Sequence, residues 1–510
     1  MKKILVNQNL WETRVAIIRN NRLQNVYLSS DTSKYLERSF FKGVVTKVLP
    51  GIQTAFVDIG QEKAGFLHIS EMDFSLAMSR MDENLEIDEE TSESLEKEKP
   101  APKKRNQSNM DMGKILTEGE VILVQVSKEP VYEKGAKLTR CFTLPGRFIV
   151  LMPNIPRIGI SKKIENPAER QQLKAELKSL LPAGMGAIIR TSAGGHSINE
   201  IKKDVNYLIN TWYEIDANYK KADNAQLLHE DLPVSLRTVR DNLDDQVELV
   251  ITDSQENQQQ LVKFVKEIAP EFLYKIKYYS GPPDLFDFYN IESQINDALK
   301  RKVHLKSGGS IIIETAEAMT VIDVNTGKFI GKANQEDTIL KTNMEAAEEI
   351  SRQLRLRNIG GLIVIDFIDL QNYANKQKLL EHFEKSLKEH DRFQSVVLKI
   401  SEFGLVQMTR KRSGKTLMRQ LTDECPTCEG TGLIKSDQAI CYKILRKIND
   451  ELAQIKSGKN INLLLNPDVF HYLTSIEYNT ILELEKKAKM QITVITDKNL
   501  DRNSYKIVIE

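Results

Sequence analysis

The 510-residue sequence is poor in cysteine. Four residues, Cys141, Cys425, Cys428 and Cys441, are too few to scaffold a fold by disulfides and suit a reducing compartment. It also lacks a surplus of either charge: 72 Lys+Arg against 71 Asp+Glu leave a formal net charge of +1. No whole-molecule field is therefore available to attract a polyanion, and any case for nucleic acid rests on local clusters. No stretch approaches the roughly 18 uninterrupted apolar residues of a membrane span, and the opening MKKILVNQNLWE alternates into polar residues where a signal peptide needs an apolar run. The expected compartment is the cytoplasm. Internal repeats are absent. What is present, 41% hydrophobic and 28% charged residues, is ordinary for soluble globular chains and excludes a fibrous or mostly disordered protein. The length exceeds one compact core, so three to five structural units are expected.

The chain opens with strand signal at Ile4 and Val6, at Val15, Ile17 and Ile18, and at Val26 and Leu28 after the polar turn Asn20-Asn21. This reads as a small hairpin without a core of its own. From Gly43 to Ile69, β-branched and aromatic residues alternate with Gly, Pro and polar turns, the pattern of a small antiparallel barrel. The pattern dissolves between Met72 and Met112, where residues 82–105 run acidic and then basic with almost no apolar content. That tract is expected to be a flexible loop inserted into a barrel that resumes at Glu120–Val126. Strand signal at 141–153 and 187–195, each followed by a helix, predicts a compact α/β unit. Residues 310–330, 361–370 and 394–408 supply β-runs around a helix expected over 336–357. The tail from Ser436 reads as a small α/β domain with strands near 462–465, 491–495 and 505–509.

Two acids stand out. The apolar run Met319–Ile322 delivers Asp323 at its C-terminal end, and Leu362–Ile365 delivers Asp366 in the same way. One crossover helix returns the chain between them to a neighbouring strand, and neighbouring strands lie about 4.8 Å apart, so both carboxylates can reach one ion. Carboxylates at the ends of buried strands need compensation. A hard cation such as Mg²⁺, content with one or two protein carboxylates and several waters, supplies it and brings phosphoryl chemistry with it. Asn325, two positions on, is placed to orient Asp323 by a hydrogen bond. The bland alternative makes both acids turn-forming caps, and Asp369, which also follows an apolar pair, competes for either role. Arg352, Arg355 and Arg357 end the connecting helix before Gly360-Gly361, where they suit the helix dipole and leave surplus charge for phosphate. Arg410-Lys411-Arg412 with Lys415 and Arg419 is a second candidate phosphate patch. Gly414-Lys415-Thr416 is not a Walker A loop, because Thr409 stands where that motif needs glycine.

Cys425-Pro-Thr-Cys428 followed by Glu-Gly-Thr-Gly has zinc-knuckle spacing. A redox pair is the alternative, disfavoured by the absence of a recognisable βαβ context. One CxxC supplies two of the four ligands structural zinc wants. Either Cys441 and a histidine complete the site, or two chains each donate a pair. In the barrel, Phe56 and Phe66 are candidates for stacking on unpaired bases, with Lys134 just beyond the last barrel strand, provided the two rings point outward and not into the core.

The stretches TAFVDIGQEKAGFLHI, RFIVLMPNIPRIGISKKIE, IIRTSAGG, YNIESQI, SGGSIIIETAEAMTVIDVNTGK, EEISRQLRLRNIGGLIVIDFIDL and ECPTCEGTG together resemble the ribonuclease E/G family in its shorter, G-like form, through nearly the whole chain. The resemblance implies an α/β multidomain protein. Its parts are an RNase H-like subdomain split between 1–39 and 216–300, an S1 (OB-type) barrel over 40–140 with the insertion 72–112, and a 5′-sensor over 141–215. A DNase I-like catalytic domain over 301–420, a zinc link over 421–435 and a small domain over 436–510 follow. It further implies Mg²⁺-dependent endonucleolytic cleavage of single-stranded RNA leaving 5′-phosphate ends, in rRNA maturation and mRNA decay, with Mg²⁺ on Asp323 and Asp366 and Asn325 in support. Phe56, Phe66 and Lys134 then contact RNA, and Gly146, Val150, Arg190 and Thr191 form a pocket for a 5′-monophosphate. Cys425 and Cys428 share Zn²⁺ across a homodimer, with dimer against tetramer left open. Gln394 departs from the pattern, standing where the family often carries a basic residue of the 5′ pocket, so weakened discrimination between 5′ ends is expected. The competing class is a non-catalytic RNA-binding scaffold with the same zinc-stapled dimer.

Overall fold

Among the described residues five β-sheets organise the chain, four in the unit formed by residues 1–417 and one in that formed by 418–510. The computed structural model describes all residues except 31–35, 73–84, 88–110, 131–134, 165, 328–334, 392, 413, 453–459, 490, 503 and 510, and except the side chains of 85–87, 335, 390, 451, 452, 488 and 509.

The N-terminal strands Lys2–Gln8, Glu12–Arg19 and Arg22–Ser30 form an antiparallel meander. Asn20 and Asn21 both take positive φ at its second turn, the geometry that matches strand twist in a two-residue hairpin. The meander borrows its core, as its size requires. Lys2–Gln8 pairs in parallel with Val247–Thr252, which pairs in parallel with Ile276–Tyr278, and Ile4, Val6 and Val15 pack against Val239, Leu261, Phe264 and Val265 of the following helices.

Phe40–Leu49, Thr54–Asp58, Gly65–His68, Lys137–Thr139 and Val121–Lys128 close into a five-stranded barrel, with Gln226–His229 added outside. Phe41, Val45, Ala55, Val57, Leu67, Val124, Val126 and Leu138 fill it. The insertion leaves this barrel after Met72 and returns at Asp111. Most of the 82–105 tract lies outside the described residues, but Leu85–Ile87 is a strand, antiparallel to Ile158–Ser161 at the edge of the next sheet. The expectation of an unattached loop is corrected to that extent. An edge strand presents unpaired backbone groups that any extended segment can satisfy, whatever its side chains.

That sheet runs Leu144–Pro145, Ile149–Met152, Gly186–Ile189, Ile158–Ser161 and Leu85–Ile87, covered by the helices Pro167–Leu180 and Ile198–Lys221. The strand expected over 141–153 is two short ones turning at Gly146, whose N–H donates to the Ile149 carbonyl at 2.8 Å. The strand expected to run to 195 stops at Ile189, and Thr191–Ala193 turn as a single 3-10 step.

The fourth sheet has the order Lys302–His304, Ser310–Thr315, Met319–Asn325, Gly361–Asp366, Leu405–Arg410, Ser395–Val397. Helices Gln335–Leu356 and Tyr373–His390 pack on one face, against Ile311, Ile322, Val324, Ile363, Ile365, Val406 and Met408. The apolar runs before Asp323 and Asp366 read as strands buried on both sides. Only one side is covered: Met319, Val321 and Leu362, on the alternate positions, are exposed.

In the C-terminal unit Ile461–Leu465 pairs in parallel with Ile492–Thr496 and antiparallel with Tyr505–Ile509. Pro467–Ser475 and Tyr478–Ala488 make the crossover, so a βαβ arrangement is present where the sequence reading saw none. Among the described residues no helix is long and apolar enough to cross a membrane.

Candidate active site

Met319–Asn325 and Gly361–Asp366 lie side by side in parallel, and the register sets Asp323 directly beside Asp366. Because side chains alternate along a strand, burial of Ile322 and Ile365 under the helices turns both acids to the open face. Asn325 shares that face, and its Nδ2 donates to Asp323 Oδ2 at 2.7 Å. These groups line a hollow of ≈ 300 Å³ with Val324, Thr326, Phe367, Ile368 and Asp369.

The loop after Asp366 is held from below. Fully buried Asn343, on the helix Gln335–Leu356, donates from Nδ2 to the Ile368 carbonyl at 2.7 Å and accepts from the Ile368 N–H at 3.1 Å. On the other side Gly327 packs so closely on Gly308 that a β-carbon would lie 1.9 Å from the Gly308 carbonyl oxygen. Asp369 enters the hollow as a third acid. Partial desolvation, then the like charges of Asp323 and Asp369, push the Asp366 carboxyl above its ordinary value. Among the described residues no Lys or Arg pairs with any of the three, so the site is an electrostatic deficit that a cation relieves.

No group of three or more His, Cys, Asp or Glu side chains able to hold a metal occurs among the described residues. Two carboxylates with an open, water-accessible hollow suit Mg²⁺, which keeps most of its waters, and fit Ca²⁺ or structural Zn²⁺ less well.

The arginines read as surplus are committed elsewhere. Arg352 binds Glu349 and the Leu23 carbonyl, Arg355 binds Gln24, and Arg357 binds Gln353. All three fasten the helix to the N-terminal meander or to itself. Arg410 is buried, its guanidinium paired with Asp391 at 2.5 Å, so it leaves the proposed phosphate patch, while Lys411, Arg412, Lys415 and Arg419 stay exposed.

Around Gly146 the chain builds a second polar site. Arg190 Nη1 donates to the Gly146 carbonyl and to Asp241 Oδ1, the latter at 2.8 Å. Burial alone would raise the Asp241 carboxyl, but Arg240 and Arg190 hold it well below the usual carboxylate range. Thr191 Oγ1 lies 2.9 Å from Ser161 Oγ. Buried Asp204 accepts from the N–H groups of Arg147, Phe148 and Ile149 at 3.0, 2.8 and 3.2 Å, and burial still pushes its carboxyl up. A β-carbon at residue 146 would meet Asp204 Oδ2 at 2.4 Å, so the glycine has a packing reason of its own. The structure thus brings Gly146, Arg190 and Thr191 into one neighbourhood. Val150 pairs with Pro145 and Ile188 and packs on the small cluster of Cys141, Met152, Ile155 and Ile188. Gln394 accepts from the Lys411 N–H at 3.0 Å through its carbonyl. Asp204 and Asp241 escaped the sequence reading, since lone acids inside amphipathic helical stretches look like solvated faces.

Phe56 and Phe66 are direct cross-strand partners. Both are part-exposed, between buried Ala55 and Val57 and between buried Gly65 and Leu67, so the two rings share the outer face of the barrel. Lys134 lies outside the described residues. Cys425 is exposed and Cys428 half-buried. Hydrogen bonds from the backbone of Cys428 and Thr427 pull the Cys425 thiol below its ordinary value. Cys441 cannot complete their site: it is fully buried in the helix Asp437–Leu452, its thiol donating to the Val469 carbonyl at 3.6 Å. The route through Cys441, one of the two expected from the sequence, is therefore not the arrangement found.

The fold and this centre define a mixed α/β protein that carries a strand-end carboxylate pair in one sheet and a closed five-stranded barrel in another. Residues 143–413 match the model of the ribonuclease E/G family, and 424–510 match that of the RNase E/G thioredoxin-like domain. The chain is 36% identical over 507 residues to ribonuclease G of Salmonella typhimurium (strain SL1344), covering 99% of each. It is 35% identical over 508 residues to ribonuclease G of Escherichia coli (strain K12), again with 99% of each covered. It is 34% identical over 510 residues to ribonuclease E of Buchnera aphidicola subsp. Schizaphis graminum, covering 99% of this chain and 50% of that protein. The chain belongs to the ribonuclease E/G family. The thioredoxin-like match revives the redox alternative for Cys425 and Cys428, but geometry opposes it. A catalytic CxxC is activated at a helix N-terminus, whereas these thiols sit on turns well before the helix that starts at Asp437.

Proposed function

We propose that this chain hydrolyses phosphodiester bonds within single-stranded RNA at Asp323 and Asp366, with Mg²⁺ as cofactor, leaving 5′-phosphate and 3′-hydroxyl ends. Family membership makes it an endoribonuclease; the metal, the products and the processes served, rRNA maturation and mRNA decay in the cytoplasm, are our reading. The observation that carries it is the in-register pairing of the two acids on an open face, with Asn325 bonded to one of them. Bound there, Mg²⁺ supplies a Lewis acid for a phosphoryl oxygen and lowers the pKa of water. The protein's own share is positional. Asn325 fixes the Asp323 carboxylate, Asn343 holds the loop behind Asp366, and the open hollow admits a flexible strand while excluding a duplex that cannot bend into it.

In this reading the meander with residues 247–278 is the RNase H-like part, the barrel the S1 domain, and the sheet around Gly146 the 5′-sensor. Phe56, Phe66 and Lys134 contact RNA, and Gly146, Val150, Arg190 and Thr191 receive a 5′-monophosphate. Cys425 and Cys428 of two chains hold one Zn²⁺ in a homodimer. Asp323→Asn and Asp366→Asn are the test. Each is expected to cut cleavage of an unstructured oligoribonucleotide by at least about a hundredfold while RNA binding persists. Cleavage surviving in both variants overturns the catalytic assignment to Asp323 and Asp366, whereas a parent chain that binds RNA without cutting it is the non-catalytic scaffold.

A further inference from the structure

We infer that Phe403 and Lys376 form a subsite for the nucleotide next to the scissile phosphodiester, Phe403 stacking on its base and Lys376 meeting its phosphate. The inference rests on the ribonuclease reading and deepens it. A second, small depression adjoins the hollow and shares Phe367, Ile368 and Asp369 with it; Leu370, Leu379, Ile400, Gly404 and Lys376 line the rest, Lys376 being the one cation among its described lining residues. Asp369 therefore stands between the two, a carboxylate dividing the metal-binding side from a side that carries a cation.

Phe403 is 87% exposed, an expensive place for a phenyl ring, and its backbone is tightly held. Ser401 N–H donates to the Leu405 carbonyl at 2.9 Å, Gly404 N–H to the Ser401 carbonyl at 3.0 Å, and Leu405 N–H to Ser401 Oγ at 3.1 Å. Gly404 takes φ +82, and a β-carbon there would lie 3.2 Å from Asp369 Oδ1, so the turn is seated against the acid. Leu405, two residues past the ring, is the cross-strand partner of Asp366 itself. The ring is thus fixed by backbone at the rim of the centre. Lys376 lies on the helix Tyr373–His390 one turn after Tyr373, which is 79% exposed. An exposed aromatic ring on the turn whose Gly404 lines this depression, and a cation lining the same depression, match the repeating chemistry of a single strand, base and phosphate alternating. Stacking is indifferent to base identity, which suits a positioning role.

The test uses the full chain and a fluorescein-labelled unstructured oligoribonucleotide, with anisotropy read while magnesium is withheld and cleavage read with it. Phe403→Ala is expected to weaken binding roughly tenfold, with the loss in cleavage falling mainly on KM, because stacking on one base is lost. Phe403→Trp is expected to bind as tightly as the parent and to lose indole emission when RNA is added. Lys376→Gln is expected to lower the dependence of binding on log salt by about 0.7, one phosphate contact on a single strand. Thermal melts confirm that the exposed substitutions leave folding intact. Unchanged affinity in Phe403→Ala, or unmoved emission in Phe403→Trp, overturns the subsite while the parent's cleavage leaves the ribonuclease reading standing. A change confined to sedimentation mass reassigns Phe403 to a contact between copies and overturns it as well. A parent that neither binds nor cuts RNA removes both.

Discussion

At the scale of single residues, the charge state of the carboxylate centre is the most testable property. Asp366 is raised by desolvation and by its acidic neighbours, so the folded state binds a proton there more readily than the unfolded chain. Its contribution to stability therefore falls as pH rises through that raised value. Asp366→Asn is expected to raise Tm slightly in metal-free buffer at neutral pH and to abolish any further rise on adding Mg²⁺; calorimetry with and without the ion reads both. The same shift makes the Mg²⁺ concentration for half-maximal cleavage climb as the medium is acidified toward the carboxylate range. Asn325→Ala removes the 2.7 Å bond to Asp323 and is expected to raise that concentration about ten- to a hundredfold, the usual cost of losing an orienting partner. The cysteines separate in the same way. In chelator-treated protein Cys425, exposed and with its thiol lowered, is expected to alkylate first, while Cys441, buried and pushed up to about 11, resists; mass spectrometry of a timed iodoacetamide series decides.

At the scale of elements, the helix Gln335–Leu356 is the part on which the site depends. It covers the sheet that carries Asp323 and Asp366 with Ala346, Ala347, Ile350 and Leu354, clamps the Asp366 loop through Asn343, and ties down the N-terminal meander through Glu349, which bonds Arg22 at 2.7 Å and Arg352 at 2.5 Å. Asn343→Ala strands two backbone groups of Ile368 and is expected to cost about 2 kcal/mol in stability and to reduce cleavage, measured by urea melts and by rate. Burial would raise Glu349, yet Arg352, Gln353 and Arg22 lower it. This contribution to stability is complete above the ordinary glutamate value and is lost as pH falls below it toward the depressed one. Glu349→Ala, which leaves Arg352 unpaired in a mostly buried place, is expected to cost about 3 kcal/mol at neutral pH and progressively less in acid. The helix also shows how far local signals reach. Its end was legible in the Gly360-Gly361 pair, but the residue that takes the left-handed turn is Asn358, φ 51, with the Ile359 N–H closing on the Leu354 carbonyl at 2.9 Å.

At the scale of the whole molecule, the proposed zinc link rests on Cys425 and Cys428, two of the four ligands structural zinc wants, because Cys441 is buried elsewhere. Native mass spectrometry is expected to find one Zn²⁺ per two chains and to find the assembly halved after chelation. Full association without zinc would detach assembly from the cysteines. The insertion is the other large-scale feature: a chain that leaves the barrel lends the strand Leu85–Ile87 to the sheet around Gly146 before it returns.

What the sequence determined by itself was whatever depends on neighbours along the chain. Alternation placed the barrel strands and the runs ending in Asp323 and Asp366, their crossover helix implied a parallel pair, and CxxC spacing marked the thiols. Tertiary structure decided everything that depends on partners far away in sequence. It opened one face of strands that read as buried, because among the described residues no helix packs there. It withdrew Arg352, Arg355, Arg357 and Arg410 from the surface charge by giving each a partner. It placed Asp204 beneath Gly146, Asp241 on Arg190 and Leu405 opposite Asp366. Local pattern encodes which way a side chain points from its own backbone; what it meets there is a property of the packed whole, since burial and charge compensation are set only when distant segments come together.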